Sequence, residues 1–236
     1  MIRHFFSFAL LSLFLAACGG SGTPGPSTNS SPQVRAVYAL PSDKSANSAD
    51  LDAISSALSQ VKSWYAGELN GATFRTPSSP VLSCSLPNVA DAYAVNSWDS
   101  LAEDIANCEG VNLADTKSVW LVYADVVHEC DTDGALGLPN AQARLSISSR
   151  LELDGLRGEA YSDDCGNSYD RSPAYYRGAL AQELGRALGL KAPAGCEADA
   201  TSCDRGALMW EGFSQFPVTY LTNADKAQLQ SSDFFE

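Results

Sequence analysis

Apolar residues recur along this chain with two periods, and the changes from one to the other mark out its elements. Val34 to Leu40 alternates and is rich in Val and Tyr, which predicts a strand, and Pro41 and Ser42 end it. Leu51, Ile54, Leu58, Val61 and Tyr65 then return at steps of three and four, the stripe of a long helix capped by Ser48 or Asp50. Its aromatic residues Trp64 and Tyr65 are read as core, without chemistry. Short strands are expected at Thr73 to Thr76 and at Val89 to Val95, and Trp98, Leu101 and Ile105 outline a shorter helix. Ser118 to Ala124 is apolar almost throughout, as a strand covered on both faces must be. Arg144 to Leu151 alternates Leu145, Ile147 and Ser149 with polar neighbours, which predicts a half-exposed strand near a sheet edge. Ser172 as cap and Pro173 as first helical residue open a helix that runs to Leu188. Tyr176, Leu180, Leu184 and Ala187 would be its buried face, with Gln182 and Arg186 one turn apart on the opposing side. A last capped helix starts at Thr222, ahead of Ala227 and Leu229.

The N-terminus has a different character. Arg3, an apolar run from Phe5 to Leu15, and Leu15-Ala16-Ala17 before Cys18 resemble a bacterial lipoprotein signal, in which the Cys is acylated; an ordinary signal peptide cut nearby is the alternative. Residues 1–17 are therefore set apart as signal. Residues 18–33 form a tether of Gly, Ser, Pro, Thr and Asn with a span of about 20 Å. Residues 34–236 form a single domain, without internal repeat or a later apolar run long enough to cross a bilayer. Gly19 stands where many Gram-negative lipoproteins carry an inner-membrane retention Asp. The expectation is a lipid-anchored protein of the bacterial cell envelope, sorted to the outer membrane.

Removing the signal, which contains Arg3 and no acid, leaves 14 basic against 28 acidic residues and a net charge of −14. Such a surface repels nucleic acid. Six cysteines remain besides Cys18, an even number that suits disulfides in an oxidising compartment. The expected pairs are sequential: Cys84 with Cys108, Cys130 with Cys165, and Cys196 with Cys203. Only the last has local support, from the short Gly- and Asp-rich loop it closes. No Cys-x-x-Cys pair suggests a thiolate zinc site. Asp131 and Asp133, with Asp163 and Asp164, would be brought together by the middle disulfide as a calcium candidate, against the plainer reading of solvated acidic loops. His128 has no Gly-x-Ser-x-Gly partner for a hydrolytic triad, and no phosphate-cradling Gly motif implies a nucleotide.

Ala181-Gln182-Glu183-Leu184-Gly185-Arg186-Ala187-Leu188-Gly189-Leu190 carries the most specific signal. With Gly206-Ala207-Leu208-Met209-Trp210 and the capped helix at Thr222 after it, this stretch resembles the metzincin zinc peptidases, and its last element the matrixin type among them. The family motif is His-Glu-x-x-His-x-x-Gly-x-x-His. The resemblance implies an α/β (α+β) fold: a twisted mixed sheet with a long N-terminal helix, a former active-site helix, a Met-turn at Met209 and a C-terminal helix. It also implies that Glu183 is the general base and Gly189 the turn, while Gln182, Arg186 and Ala192 occupy the three ligand positions. Gln is a poor zinc ligand, Arg is a permanent cation and Ala has no donor. Zinc is thus expected to be absent, and Glu183 to be a vestige without an activated water.

Arg186 is expected to supply part of the missing positive charge and to hold Glu183 ionised, the alternative being an ordinary exposed helix pair. The function expected is that of a pseudo-metalloprotease whose cleft and edge strand hold an extended peptide or an envelope protein without cutting it. The alternatives are a true metallopeptidase with atypical ligands such as Gln182, Glu197 and Asp199, or a purely structural envelope role.

Overall fold

The computed structural model describes residues 31–93, 98–127, 135–136, 144–162, 168–169, 171–196, 201 and 203–236. Strand β1 (Gln33–Leu40) sits inside the sheet because its side chains serve two cores. Val34, Ala36, Tyr38 and Leu40 face one apolar cluster, Val37 and Ala39 the other. It pairs in parallel with β2 (Val81–Ser85) on one side and β3 (Ser118–Ala124) on the other. Strand β5 (Leu145–Ser148) lies parallel to β3, and the two-residue β4 (Ala135–Leu136) adds antiparallel to β5, giving the order β2-β1-β3-β5-β4. A separate ribbon joins β6 (Tyr161–Ser162) to β7 (Ser168–Tyr169).

Helix α1 (Ser48–Glu68) lays Ile54, Ala57, Leu58, Val61 and Tyr65 on the first cluster, as its periodicity requires. Its cap is Asn47, whose side chain accepts the Ala49 amide at 3.0 Å. Ser48 and Asp50 therefore both lie inside the helix, and Asp50 is wholly buried. Helix α2 (Trp98–Ala106) covers the opposite face with Leu101 and Ile105. Helices α3 (Arg150–Arg157), α4 (Pro173–Ala187) and α5 (Asn223–Gln230) join α1 on the first face through Leu153, Leu184 and Leu229. Tyr65 ties α1 to α4 by donating to the Ala181 carbonyl at 2.9 Å.

Four expectations change. Thr73 to Thr76 is no strand: Phe74 makes one antiparallel bridge to Phe235, buried beside Tyr65. In the stretch expected as a strand from Val89, Ala90–Tyr93 is a 3₁₀ turn, while β2 forms earlier as a short, half-buried edge that the polar Ser83 and Ser85 disguise. Arg144 to Leu151 is not a half-exposed edge. Its strand is only Leu145–Ser148, buried throughout between β3 and β4, and the chain turns at Ser149 into α3. Ser149 and Glu152 form a reciprocal capping box there, a Ser-x-x-Glu signal that competes with the strand reading. Gln33, placed in the tether, belongs to β1 and donates its amide to the Lys117 carbonyl.

Two of the expected disulfides are present, Cys84–Cys108 with Cα atoms 5.7 Å apart and Cys196–Cys203 with 5.2 Å. Cys130 and Cys165 lie outside the described residues, as does Cys18. The bridges fit an exported protein. Among the described residues no helix is long and apolar enough to cross a membrane.

Candidate functional site

Helix α4 begins as its sequence dictates, with Ser172 at the cap position and Pro173 in the first turn. From Leu180 to Gly185 every residue is buried, because the helix is enclosed by α1 and by the segment that carries Met209. Two close approaches fix that enclosure. A Cβ on Gly178 would sit 1.9 Å from the Phe213 carbonyl oxygen, and one on Gly185 would sit 2.7 Å from the Met209 sulfur. After Leu188, Gly189 takes a positive φ of 91° and the Leu190 amide returns to the Gly185 carbonyl, closing the helix. Buried Met209 lies in a tight turn beneath α4, whose Leu208 amide bonds to the Tyr220 carbonyl and whose Trp210 amide bonds to that of Ala207.

Gln182 departs from expectation. It does not face away from the core: it is only 4% exposed. Its amide nitrogen donates to the Leu208 carbonyl at 2.7 Å and to the Trp210 carbonyl at 2.6 Å, the two residues flanking Met209. Both hydrogens of the amide are thereby used. The side chain is a clasp between helix and turn, and its burial is compatible with polarity only because those bonds are made.

Arg186 and Glu183 do form a pair, Nη1 to Oε1, with the guanidinium partly exposed and the carboxylate buried. Burial outweighs the expected effect of Arg186. Burial pushes the Glu183 carboxyl above its usual range, and the neighbouring Arg186 charge and hydrogen bond offset this only in part. Among the described residues, Glu183 Oε2 is buried without a hydrogen-bond partner, and so is Trp210 Nε1. Ala192 is half-buried and offers a methyl group alone.

These residues do not fit zinc. The amide at the first ligand position is spent on two carbonyls, a cation stands at the second, and the third has no donor. Among the described residues no three His, Cys, Asp or Glu side chains converge as metal ligands. His128, Asp131, Asp133, Asp163, Asp164, Glu197 and Asp199 lie outside the described residues.

A second polar centre, missed in the sequence, surrounds Asp50. Tyr38 donates to Asp50 Oδ2 at 2.7 Å, and Arg150 and Arg157 reach its two oxygens at 2.9 and 2.8 Å. Burial alone would raise this carboxyl, yet the donors Tyr38, Arg150 and Arg157 together hold it below its usual range. Burial and the flanking carboxylates push the Tyr38 hydroxyl up, so it remains a donor.

No protein-family model matches the chain, and no curated protein matches its sequence. Among solved structures it is similar to wild-type OgpA from Akkermansia muciniphila, at 17% identity and a TM-score of 0.55, over 87% of this chain and 62% of that one. The catalytically inactive form of OgpA, solved in complex with an O-glycopeptide substrate, aligns over the same shares with a TM-score of 0.53. Archaemetzincin from Methanopyrus kandleri aligns over 83% of this chain and 93% of its own at 12% identity, with a TM-score of 0.42. The chain thus spans less than two thirds of OgpA, with which it shares a mixed α/β fold.

Proposed function

We propose that this protein is a pseudo-metalloprotease: a peptidase-like fold that binds a peptide or protein segment and does not hydrolyse it. The observation that carries this is the Gln182 clasp. An active zinc site would need the first ligand position to release Leu208 and Trp210, leaving two carbonyls to find other donors. Hydrolysis also needs a base acting on a metal-polarised water, and Glu183 here is drawn toward Arg186 and toward its neutral form by burial.

Binding without cleavage uses other groups. Glu183 Oε2 is an acceptor and Trp210 Nε1 a donor, and each lacks a partner at the former site. Both atoms are closed off from solvent, so a peptide group could pair with either only after the side chains over it move aside, and the pairing would then relieve about 1–3 kcal/mol of unmet hydrogen bonding. The two-residue β4 is the last strand of the described sheet, and strand addition beside it is the mode of peptide binding we propose. The O-glycopeptide substrate of OgpA nominates the first probe. Anchorage through an acylated Cys18 at the outer membrane belongs to the same proposal and is tested by fractionation of wild type and Cys18→Ala.

Zinc content of the purified full chain is to be measured alongside cleavage and binding of one peptide with and without its O-glycan, each with and without chelator. The expected result is substoichiometric zinc, no cleavage, and binding that chelator leaves unchanged. Equimolar zinc with chelator-sensitive cleavage would overturn the proposal in favour of ligands such as Glu197 and Asp199.

A further inference from the structure

The sheet leaves a second place for a ligand, remote in sequence from Gln182 and Glu183 and independent of whether their cleft binds peptide. From β1 the chain passes to α1 on one face, and from β2 it passes to α2 on the other. Where neighbouring parallel strands send their connections to opposite faces, a crevice opens at their carboxyl ends, the common ligand position of open α/β sheets. A cavity of about 330 Å³ lies there, lined by Lys44 after β1, Ala90 and Asp91 after β2, Asp125 and Val127 after β3, and Arg150 at the start of α3.

The rim is braced before any ligand arrives. The Ser42 amide bonds to the Asn88 carbonyl at 2.8 Å, the Ala90 amide to the Asp43 side chain at 2.8 Å, the Asp125 amide to the Ala39 carbonyl at 2.9 Å, and the Arg150 amide to the Val126 carbonyl at 2.9 Å. Such pre-organisation lowers the ordering cost of binding.

The charges on the lining are unequally satisfied. Arg150 spends Nε and Nη2 on Asp154 and Nη1 on Asp50. Asp125, only 9% exposed, is left with the weaker share of two donors already committed to Asp50: the Tyr38 hydroxyl at 3.2 Å and Arg150 Nη1 at 3.5 Å. The single Tyr38 proton serves Asp50 at the shorter 2.7 Å. Asp125 is thus a nearly buried carboxylate short of donors. Asp91 and Lys44 line the same cavity, and neither side chain takes part in an ion pair among the described residues. Val127 adds an exposed apolar surface.

Besides Arg150, which is committed to Asp154 and Asp50, the described lining presents two carboxylates and one ammonium, whose complement is a ligand with two cations and one carboxylate joined by an apolar chain. The geometry points to a binding site for a free basic α-amino acid of the lysine or arginine kind. Its α-ammonium goes to Asp125, its side-chain cation to Asp91 and its carboxylate to Lys44, with its methylenes on Val127.

Calorimetric titration of the full chain with L-lysine and L-arginine tests this, against norleucine without the second cation, cadaverine without the carboxylate, 6-aminohexanoate without the α-ammonium, and calcium chloride. At least one of the two amino acids is expected to bind at least about tenfold more tightly than any of these four. Asp125→Asn and Asp91→Asn are each expected to weaken that binding at least about tenfold, and Lys44→Ala to weaken it while sparing cadaverine. Asp91 and Lys44 are exposed, so their variants report on binding even if Asp125→Asn fails to fold. No heat from either amino acid at about 10 mM, cadaverine or calcium bound as tightly, or binding unchanged in the Asp91 and Lys44 variants would each overturn the assignment.

Discussion

Truncating Gln182 to Ala isolates the clasp between α4 and the Met209 turn. The substitution removes two hydrogen bonds, 2.7 and 2.6 Å long, and leaves the carbonyls of Leu208 and Trp210 without the donor they share. A buried acceptor deprived of its partner costs about 1–3 kcal/mol, so the pair sets a loss of roughly 2–6 kcal/mol. In a domain of this size each kcal/mol lowers Tm by about 2–4 °C, and the fall should therefore be roughly 4–24 °C. Thermal melts followed by far-UV circular dichroism, with the disulfides kept intact, measure it. Gln182→Glu sharpens the test because it keeps the shape and removes the donors. Its ionised carboxylate would face two carbonyl oxygens, so it should be at least as unstable as the Ala variant near pH 7. Below the pKa of the introduced acid one hydroxyl can donate, and part of the loss should return. If Gln182→Ala melts within about 1 °C of the parent, the clasp does not hold the turn and the reasoning fails.

Glu183 and Asp50 predict opposite pH responses. The folded pKa of Glu183 is raised, so the folded state binds more protons than the unfolded chain and stability falls as pH rises from about 4.3 through the folded value. Glu183→Gln should abolish that fall and melt higher than the parent at pH 7, whereas Arg186→Ala should deepen it; melts from pH 4 to 8 that superimpose for all three would refute this. The folded pKa of Asp50 is lowered, so its contribution is complete above about pH 3.9 and is lost as pH falls through the folded value. Asp50→Asn leaves Arg150 and Arg157 without their shared buried partner and should cost about 3–5 kcal/mol in urea unfolding at pH 7, with a weaker acid dependence than the parent. Gly178→Ala puts a methyl into the Phe213 backbone and should destabilise by more than about 1 kcal/mol, beyond any gain in helix propensity; a neutral or stabilising effect would show that α4 and the Phe213 backbone can separate freely.

Long periodic segments were legible in the sequence because their burial is set by repetition. Leu51 to Tyr65 and Ser118 to Ala124 announce themselves, and so does the Ser172-Pro173 start of α4. What escaped was polarity turned inward. Gln182 reads as a surface residue until the carbonyls of a segment 26 residues away supply its partners. Asp50 reads as a helix cap until Arg150 and Arg157, a hundred residues on, neutralise it in the interior. Sequence spacing reports neighbours on one helix or strand, whereas these contacts exist only after the chain has folded back. The Ser149 to Glu152 capping box was available in principle, but the alternation of Leu145 and Ile147 ran into it and masked the change of period.

The position of β1 has a consequence for the order in which this protein is made. The first strand of the domain occupies the inside of the sheet, and β3, its partner over seven registered residues, ends at Ala124, 84 residues after Leu40. At roughly 5–20 residues per second, synthesis leaves that strand without its longer neighbour for roughly 4–17 s. During that interval an apolar segment with open edges is a template for pairing with other chains. Slowing synthesis between residues 40 and 124 should therefore raise aggregation more than an equal delay after residue 150, and a chaperone that holds the nascent chain should narrow the difference.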